Sequence, residues 1–345
     1  MRGSHQSTLS EQLSGGSLTE RRPFNLFVFG SGFTRAAFPG APLNRDLLST
    51  LIAKRRASAS QLLDRYGVED IEIALTRLDC DISAEEAAGD LRGPSRALRR
   101  RLETELAEYF LEFCASESLL TQSCWMTSFI DEGVKPRDVA ISLNYDCLLE
   151  GALDCRGKWS PRGGYGFPVE SPLFGRAEYR RSPVTVLKIH GSANFWIAPY
   201  ADQPAAKTVG FLFDEQLFPR SGKGKHFGYG GGSGRRYVIA PSYVKVPTVE
   251  VTHMMLTALD AASKARNLAF IGSSLRPEDQ FLTVLMTHFL RRRGWQHKRI
   301  VVVSPQAPRI CERIRKYWGV DVSRQIRPIA KTIQASVDEL LGVLG

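Results

Sequence analysis

The sequence predicts an α/β protein built on a parallel, doubly wound sheet, with an all-α insertion after the first strand. Three observations predict it. Short, dense apolar runs alternate with amphipathic helical stretches, the pattern of successive βα units. Four of those runs end in small or polar residues, at Gly30-Ser31-Gly32, Asn144-Tyr145-Asp146, His190-Gly191-Ser192 and Gly272-Ser273-Ser274. Open α/β sheets keep their ligands at such strand ends. From about Asn44 to Phe129 the periodicity is helical throughout, with no strand signal.

Taken in order, Phe24 to Phe29 is a buried first strand ending in the glycine turn. The loop continues through Phe38-Pro39-Gly40-Ala41-Pro42, and Asn44 is placed to cap a helix over Arg45 to Lys54. Residues 44–137 form the helical insertion, with apolar three- and four-residue spacing over Ser60 to Tyr66, Val68 to Leu78, Ala84 to Leu91 and Ser95 to Ser116. Strand character returns at Asp138 to Leu143 and at Pro183 to Ile189. The segment 199–236 is dominated by Gly, Lys and Pro and reads as a Gly-rich flexible flap. A short strand at Tyr237 to Pro241, a helix over Val249 to Lys264, a buried strand from Leu268 to Ile271 and a last clear central strand at Arg299 to Pro305 complete the pattern. The expected division is a sheet domain over 23–43 and 138–345, interrupted by the insertion.

With 345 residues, 43% of them hydrophobic, the chain has ample core. An apolar run of about 18 residues, as a membrane span needs, is missing. Met1 to Arg22 is polar and Ser/Gly-rich and reads as a disordered leader without a secretory block, Met1-Arg2-Gly3-Ser4-His5 resembling an expression tag; the expectation is a cytoplasmic protein. Cys80, Cys114, Cys124, Cys147, Cys155 and Cys311 are scattered, without a C-x-x-C pair or histidines at metal spacing. That pattern argues against a metal site or a disulfide framework. The net charge of +10 suggests an anionic partner. The basic helices, with Arg99-Arg100-Arg101 and Arg291-Arg292-Arg293, offer nucleic acid as one such partner, against the alternative of solvated helix faces.

Each strand-end motif has a bland reading beside its chemical one. Gly30-Ser31-Gly32 lets backbone N–H groups and a helix start approach a pyrophosphate, but it is also an ordinary tight turn. Arg35 stands where the third glycine of G-x-G-x-x-G belongs, and the acid expected about twenty residues on is missing. Asn144 and Asp146 can orient water or ribose hydroxyls, or can cap the next helix. Gly272-Ser273-Ser274 offers two hydroxyls and little bulk, with Pro277-Glu278-Asp279 opening a helix behind it. A lone histidine such as His190 is more often structural than catalytic. The convergence of four such ends on one crevice is what favours chemistry.

The combination resembles the sirtuin superfamily. Gly30-Ser31-Gly32 with Gly40-Ala41-Pro42 looks like its glycine-rich cofactor loop, and Asn144-Tyr145-Asp146 resembles its N-[IY]-D element. Lys188-Ile189-His190-Gly191-Ser192 with Trp196, and Phe270 to Asp279, are similar to the K-[LI]-H-G-S-x-x-x-W and G-[YS]-S-L-x-P-x-D patterns of bacterial sirtuin-like domains. The resemblance implies a Rossmann-like domain that takes NAD as its substrate. Gly30, Ser31, Gly32 and Thr34 would contact the pyrophosphate, Asn144 and Asp146 the nicotinamide ribose, and Gly272 and Ser273 the adenosine side. His190 would be the general base. Two departures stand out. The zinc-ribbon cysteines of protein-deacylating sirtuins are missing, which argues against deacylation. The loop acid is replaced by Leu43, with Asn44 and Asp46 as imperfect substitutes.

The activity this implies is an NAD glycohydrolase yielding nicotinamide and ADP-ribose. Bacterial domains of this branch act as antiphage effectors that deplete NAD. The implied partners are a second copy of the chain, an Argonaute-type protein or a helicase-like ATPase. The alternatives are NAD-dependent protein deacylation or ADP-ribosyl transfer, and a non-catalytic nucleotide-sensing subunit of a defence complex.

Overall fold

The computed structural model describes residues 23–166, 182–199, 207–211, 216–221, 235–239, 241, 248–276, 279–291, 295–318 and 320–345. The leader, Pro277, Glu278, Arg292, Arg293 and most of the 199–236 segment, its 222–234 stretch included, lie outside the described residues.

Strand β1 (Asn25–Phe29) is buried from Leu26 onward. It runs into helix α1 (Ser31–Ala37). Helices α2 (Asn44–Ala53), α3 (Ala57–Tyr66), α4 (Ile71–Ala87), α5 (Pro94–Phe110), α6 (Glu117–Gln122) and α7 (Cys124–Ser128) follow. Then come β2 (Val139–Ser142), α8 (Leu148–Cys155), α9 (Pro161–Gly164), β3 (Thr185–Leu187), β4 (Gly191–Pro199), β5 (Lys207–Phe211) and β6 (Arg235–Val238). The chain closes with α10 (Val249–Lys264), β7 (Asn267–Ile271), α11 (Gln280–Leu290), β8 (Arg299–Val303), α12 (Ala307–Trp318), β9 (Ile326–Ile329) and α13 (Val337–Leu344).

The main sheet has six strands in the order β3-β2-β1-β7-β8-β9. Every pairing within it is parallel, so the expected doubly wound α/β architecture is present. Both faces of its central strands are covered, which is why β1, β7 and β8 read as continuous apolar runs rather than alternating ones. The chain leaves β1 to build β2 and β3 on one side and returns to build β7 on the other. The crevice of a doubly wound sheet lies at such a switch, over the carboxyl ends of the strands.

Several sequence expectations change. Val68 to Leu78 and Ala84 to Leu91 are not separate helices: the single helix α4 joins them, ending at Ala87, and is capped by the Asp70 carboxylate, which accepts from Glu72 N and Ile73 N. Leu43, not Asn44, is the residue before α2, and Asn44 is its first helical residue. Tyr237 and Val238 belong to a second, three-stranded antiparallel sheet ordered β5-β4-β6, not to the parallel one. Part of the glycine-rich segment is therefore strand, at β5 and at the start of β6. A further edge strand, β9, follows β8. Its central residues Arg327 and Pro328 are exposed, so it lacks the dense apolar signature of the buried strands.

The insertion carries its own core, built from leucines of α2, α3, α4 and α5, and that core includes Tyr145, Ala193 and Val238. It is thereby seated on the Asn-Tyr-Asp loop and on the small sheet. Its tail behaves differently, since Leu120, Met126, Phe129, Ile130 and Val134 pack into the core of the main sheet. No helix among the described residues is long and apolar enough to cross a membrane.

Asp138 ties the amino ends of β1 and β2 together. It is 1% exposed and accepts hydrogen bonds from Asn25 N at 2.7 Å and Lys135 N at 2.8 Å. Burial pushes its carboxyl up to about 6, against the pull of those hydrogen bonds. The folded protein thus holds this proton more tightly than an unfolded chain does. The stabilisation is fully present below the ordinary aspartate range and is lost as the pH rises through about 6. Denaturant titrations of wild type and Asp138→Asn over that interval should show the wild type losing stability with rising pH more steeply than the variant. Parallel curves would assign the slope to other groups.

Candidate functional site

The loops after β1, β2 and β7, together with His190 beyond β3, meet at the carboxyl edge of the main sheet. Gly30, Ser31, Asn44, Asn144, His190, Gly272 and Ser273 line one cavity there. Gly32 lines an adjoining arm of the same cleft, which shares Ser31, Asn44, Gly272, Ser273, Ser274 and Arg276 with the first. Of the sequence-predicted site residues, Thr34 and Asp146 lie outside both arms and face a smaller void behind them.

The glycines do different work from that expected. Gly30 N donates to Ile271 O at 3.0 Å and Gly32 N to Gly272 O at 2.9 Å. These amides hold two loops together and are not presented to a pyrophosphate. The approach is so close that a Cβ on Gly30 would stand 2.7 Å from Gly272 O, and one on Gly272 would stand 2.4 Å from Phe33 N. Gly272 also has φ +63°, a conformation that side chains disfavour.

Thr34 and Asp146 are engaged with each other and with the same loops. Thr34 Oγ1 donates to Asp146 Oδ2 at 2.7 Å and accepts from Asn144 Nδ2 at 2.9 Å. Asn144 Nδ2 also donates to Gly30 O at 3.0 Å, and Asp146 Oδ1 accepts Leu148 N at 3.1 Å. Asp146 therefore holds the first turn of α8 from two residues before it and is 3% exposed. Burial raises its carboxyl above the usual aspartate range, with Lys188 opposing. A buried, doubly engaged carboxylate positions the loop, behind the wall of the cavity that His190 lines. Asn144 remains in the cavity wall.

His190 has acceptors on both sides. Its Nδ1 lies 3.3 Å from Leu143 O and its Nε2 lies 3.5 Å from Asp279 Oδ2, both side chains being largely shielded. A carbonyl can only accept, so Nδ1 carries a proton and Nε2 is the nitrogen able to take one. A proton taken there faces the Asp279 carboxylate. The His190 backbone oxygen accepts from Ile239 N at 2.8 Å, fixing the residue between the two sheets.

Beneath this lies a fully buried ion pair, Lys188 Nζ to Glu150 Oε1 at 3.1 Å. Lys188 Nζ also donates to Asp146 O at 2.5 Å, bracing β3 against the Asn-Tyr-Asp loop. Burial holds the Glu150 carboxyl above its ordinary range in spite of Lys188. Tyr145 completes the bracing: its hydroxyl donates to Ile239 O at 2.8 Å, and its carbonyl accepts Ala193 N at 2.8 Å.

The cavity also holds residues that no sequence motif flagged. Glu72, in the first turn of α4, accepts from Asn44 Nδ2 at 2.9 Å and pairs with Arg276 Nη1 at 2.7 Å. Asn44 thus faces the cavity held by the insertion and not as a helix cap. Periodicity placed Glu72 only on a helix, and the helix's direction toward the crevice had no local signal. The cleft is electrically polar. Glu72 and Asp279 line the His190 arm, Glu72 being paired with Arg276 of the shared wall, whereas Arg35, Arg45, Arg309 and Arg313 line only the other arm. Among the described residues, no cluster of three or more His, Cys, Asp or Glu side chains could hold a metal ion.

A doubly wound sheet with a cleft at its switch point is the architecture in which open α/β sheets keep their ligands. The family model described as "SIR2-like domain" matches residues 138–323, more than half of the chain, and the chain belongs to that family. Among solved structures, a Sir2 homologue–NAD complex aligns over 93% of this chain and 89% of that one, at 12% identity and a TM-score of 0.43. A mutant Sir2 homologue–ADP-ribose complex aligns over 93% and 91%, at 13% identity and a TM-score of 0.44. No curated protein matches the chain in sequence.

Two glycines make a direct test of the loop contact. Gly272→Ala combines a positive φ with a backbone collision and should cost about 2 kcal/mol or more. Gly40→Ala meets no atom within 4 Å and should be nearly neutral. Denaturation midpoints compare the two, and equal midpoints would mean that the loops are not in contact.

Proposed function

We propose that this chain is an NAD glycohydrolase that cleaves the nicotinamide–ribose bond. The charge polarity of the cleft carries the reading. NAD has a cationic nicotinamide ring at one end and an anionic diphosphate in the middle. The Asp279 carboxylate of the His190 arm suits the first, and the arginines of the adjoining arm suit the second.

The chemistry follows from the leaving group. As the C1′–N bond breaks, its electron pair returns to the ring nitrogen and nicotinamide departs neutral, so no general acid is needed. Positive charge develops on the ribose, as in glycoside hydrolysis. Asp279, beside His190, would supply the fixed negative charge that stabilises that state, Glu72 being paired with Arg276. A water oxygen forms the new bond to C1′, and its proton passes to His190 Nε2, shared with Asp279. Asn144, its amide nitrogen already bound to Gly30 and Thr34, presents a rigid wall that helps orient the water.

This reaction in a cell depletes NAD, and the cytoplasmic role proposed is that of an antiphage effector. Such an activity has to be restrained until infection, through self-assembly or through a partner of the Argonaute or helicase-like ATPase type. The alternatives of deacylation and acyl or ADP-ribosyl transfer need an acceptor route, and no observation on the cleft favours one.

Nicotinamide release from NAD, followed over a range of protein concentrations, tests the reading. His190→Ala should lower turnover by about 10²–10⁴-fold. Asp279→Asn, which keeps the shape and removes the charge, should lower kcat about tenfold or more while KM changes little. Equal turnover in wild type and His190→Ala would sink the mechanism.

A further inference from the structure

We propose that the arginine end of the cleft is a subsite for an additional phosphate, so that the preferred dinucleotide is the 2′-phosphorylated one, NADP. This rests on the reading that the cleft takes a nicotinamide dinucleotide, and it names which one.

The argument starts from the arginines and their partners. Arg35 and Arg45 both pair with Asp46, at 3.6 and 3.3 Å, and Arg276 pairs with Glu72. Arg309 and Arg313 meet no carboxylate among the described residues. They stand four residues apart on α12, the spacing that places side chains on one helix face. Arg313 donates through Nη2 to Ser274 O at 2.5 Å, and its Nε is buried without a hydrogen-bond partner among the described residues. A buried, unmatched guanidinium N–H is costly unless an acceptor arrives.

Position along the cleft assigns the acceptor. With nicotinamide at His190, the diphosphate falls near Ser31 and Arg35, and the adenosine ribose lies beyond Ser273 toward the carboxyl end of β8. Doubly wound sheets that select NAD place a carboxylate against the ribose hydroxyls, and those that select NADP place arginine there. Here the described lining of that arm contains no carboxylate, while Ser304, Gln306, Arg309 and Arg313 come from the end of β8 and the start of α12. Arginine's planar fork matches a phosphate monoester well. The first turn of a twelve-residue helix adds partial positive charge.

The test uses the full chain and ligands that need no turnover: ADP-ribose and 2′-phospho-ADP-ribose, titrated by calorimetry. The wild type should bind the 2′-phosphorylated ligand at least about tenfold more tightly, the scale of one or two charge-assisted hydrogen bonds. Raising the salt concentration should narrow that ratio. In Arg309→Gln/Arg313→Gln the ratio should collapse toward one, and in Arg309→Gln, whose side chain is exposed and whose folding is not at risk, it should fall part of the way. Equal affinities in the wild type, or a preference that survives the double substitution, would overturn the proposal. The two readings fail separately. A 2′-phosphate preference without nicotinamide release from either dinucleotide keeps the subsite and removes the hydrolase. Absence of binding by either ligand removes both.

Discussion

The site depends first on how closely the β1 and β7 loops approach each other. Gly30, Gly32 and Gly272 meet at distances that leave no room for a side chain, and two loop amides are committed to holding them there. That contact puts the crevice floor in one piece across the switch point of the sheet. It also removes the amide cradle on which dinucleotide-binding turns rely. The positive charge of that part of the cleft comes instead from side chains, the arginines that line it.

A second constraint is the buried polar network behind the cavity wall. Thr34 links the β1 loop to Asn144 and Asp146, and Lys188 links β3 to the same loop and to Glu150. Burying such an ion pair is seldom a source of net stability, because desolvation offsets most of the attraction. Its value here is geometric. Removing either partner leaves a charge stranded in the core, so the pair favours the one arrangement of the Asn-Tyr-Asp loop and the His190 turn in which Lys188 and Glu150 meet. The insertion presses on the same loop from outside, with the rings of Phe110 and Tyr145 packed 5.3 Å apart. Glu72 reaches the cavity from the same direction. An element that reads in sequence as a separate helical bundle thus forms part of the cavity wall.

Much of this was legible in the residues. The dense apolar runs of β1, β7 and β8 announce strands buried on both faces, and α10 begins and ends where its periodicity places it. His190, Asn144, Gly272 and Ser273 converge as strand-end motifs should. The small antiparallel sheet was hidden because half of it comes from a Gly- and Lys-rich segment, and β9 because an exposed edge strand need not be apolar. Thr34 and Asp146 belong to the motifs yet stand behind the cavity wall. Which member of a motif touches a ligand and which supports its neighbour depends on side-chain direction and burial, and short-range spacing encodes neither.

The sequence by itself determined the doubly wound sheet, the helical insertion and the set of strand ends that meet at one crevice, because hydrophobic period and turn chemistry are local properties of the chain. Only the tertiary structure decided that the glycine amides are already bonded, that Asp146 is a buried brace, and that Asp279 stands opposite His190 Nε2. It also decided that Asp279 and the Glu72–Arg276 pair stand at one end of the cleft and Arg309 and Arg313 at the other. Those are contacts between residues dozens to hundreds of positions apart, and their distances and burial come into being only when the loops close on one another.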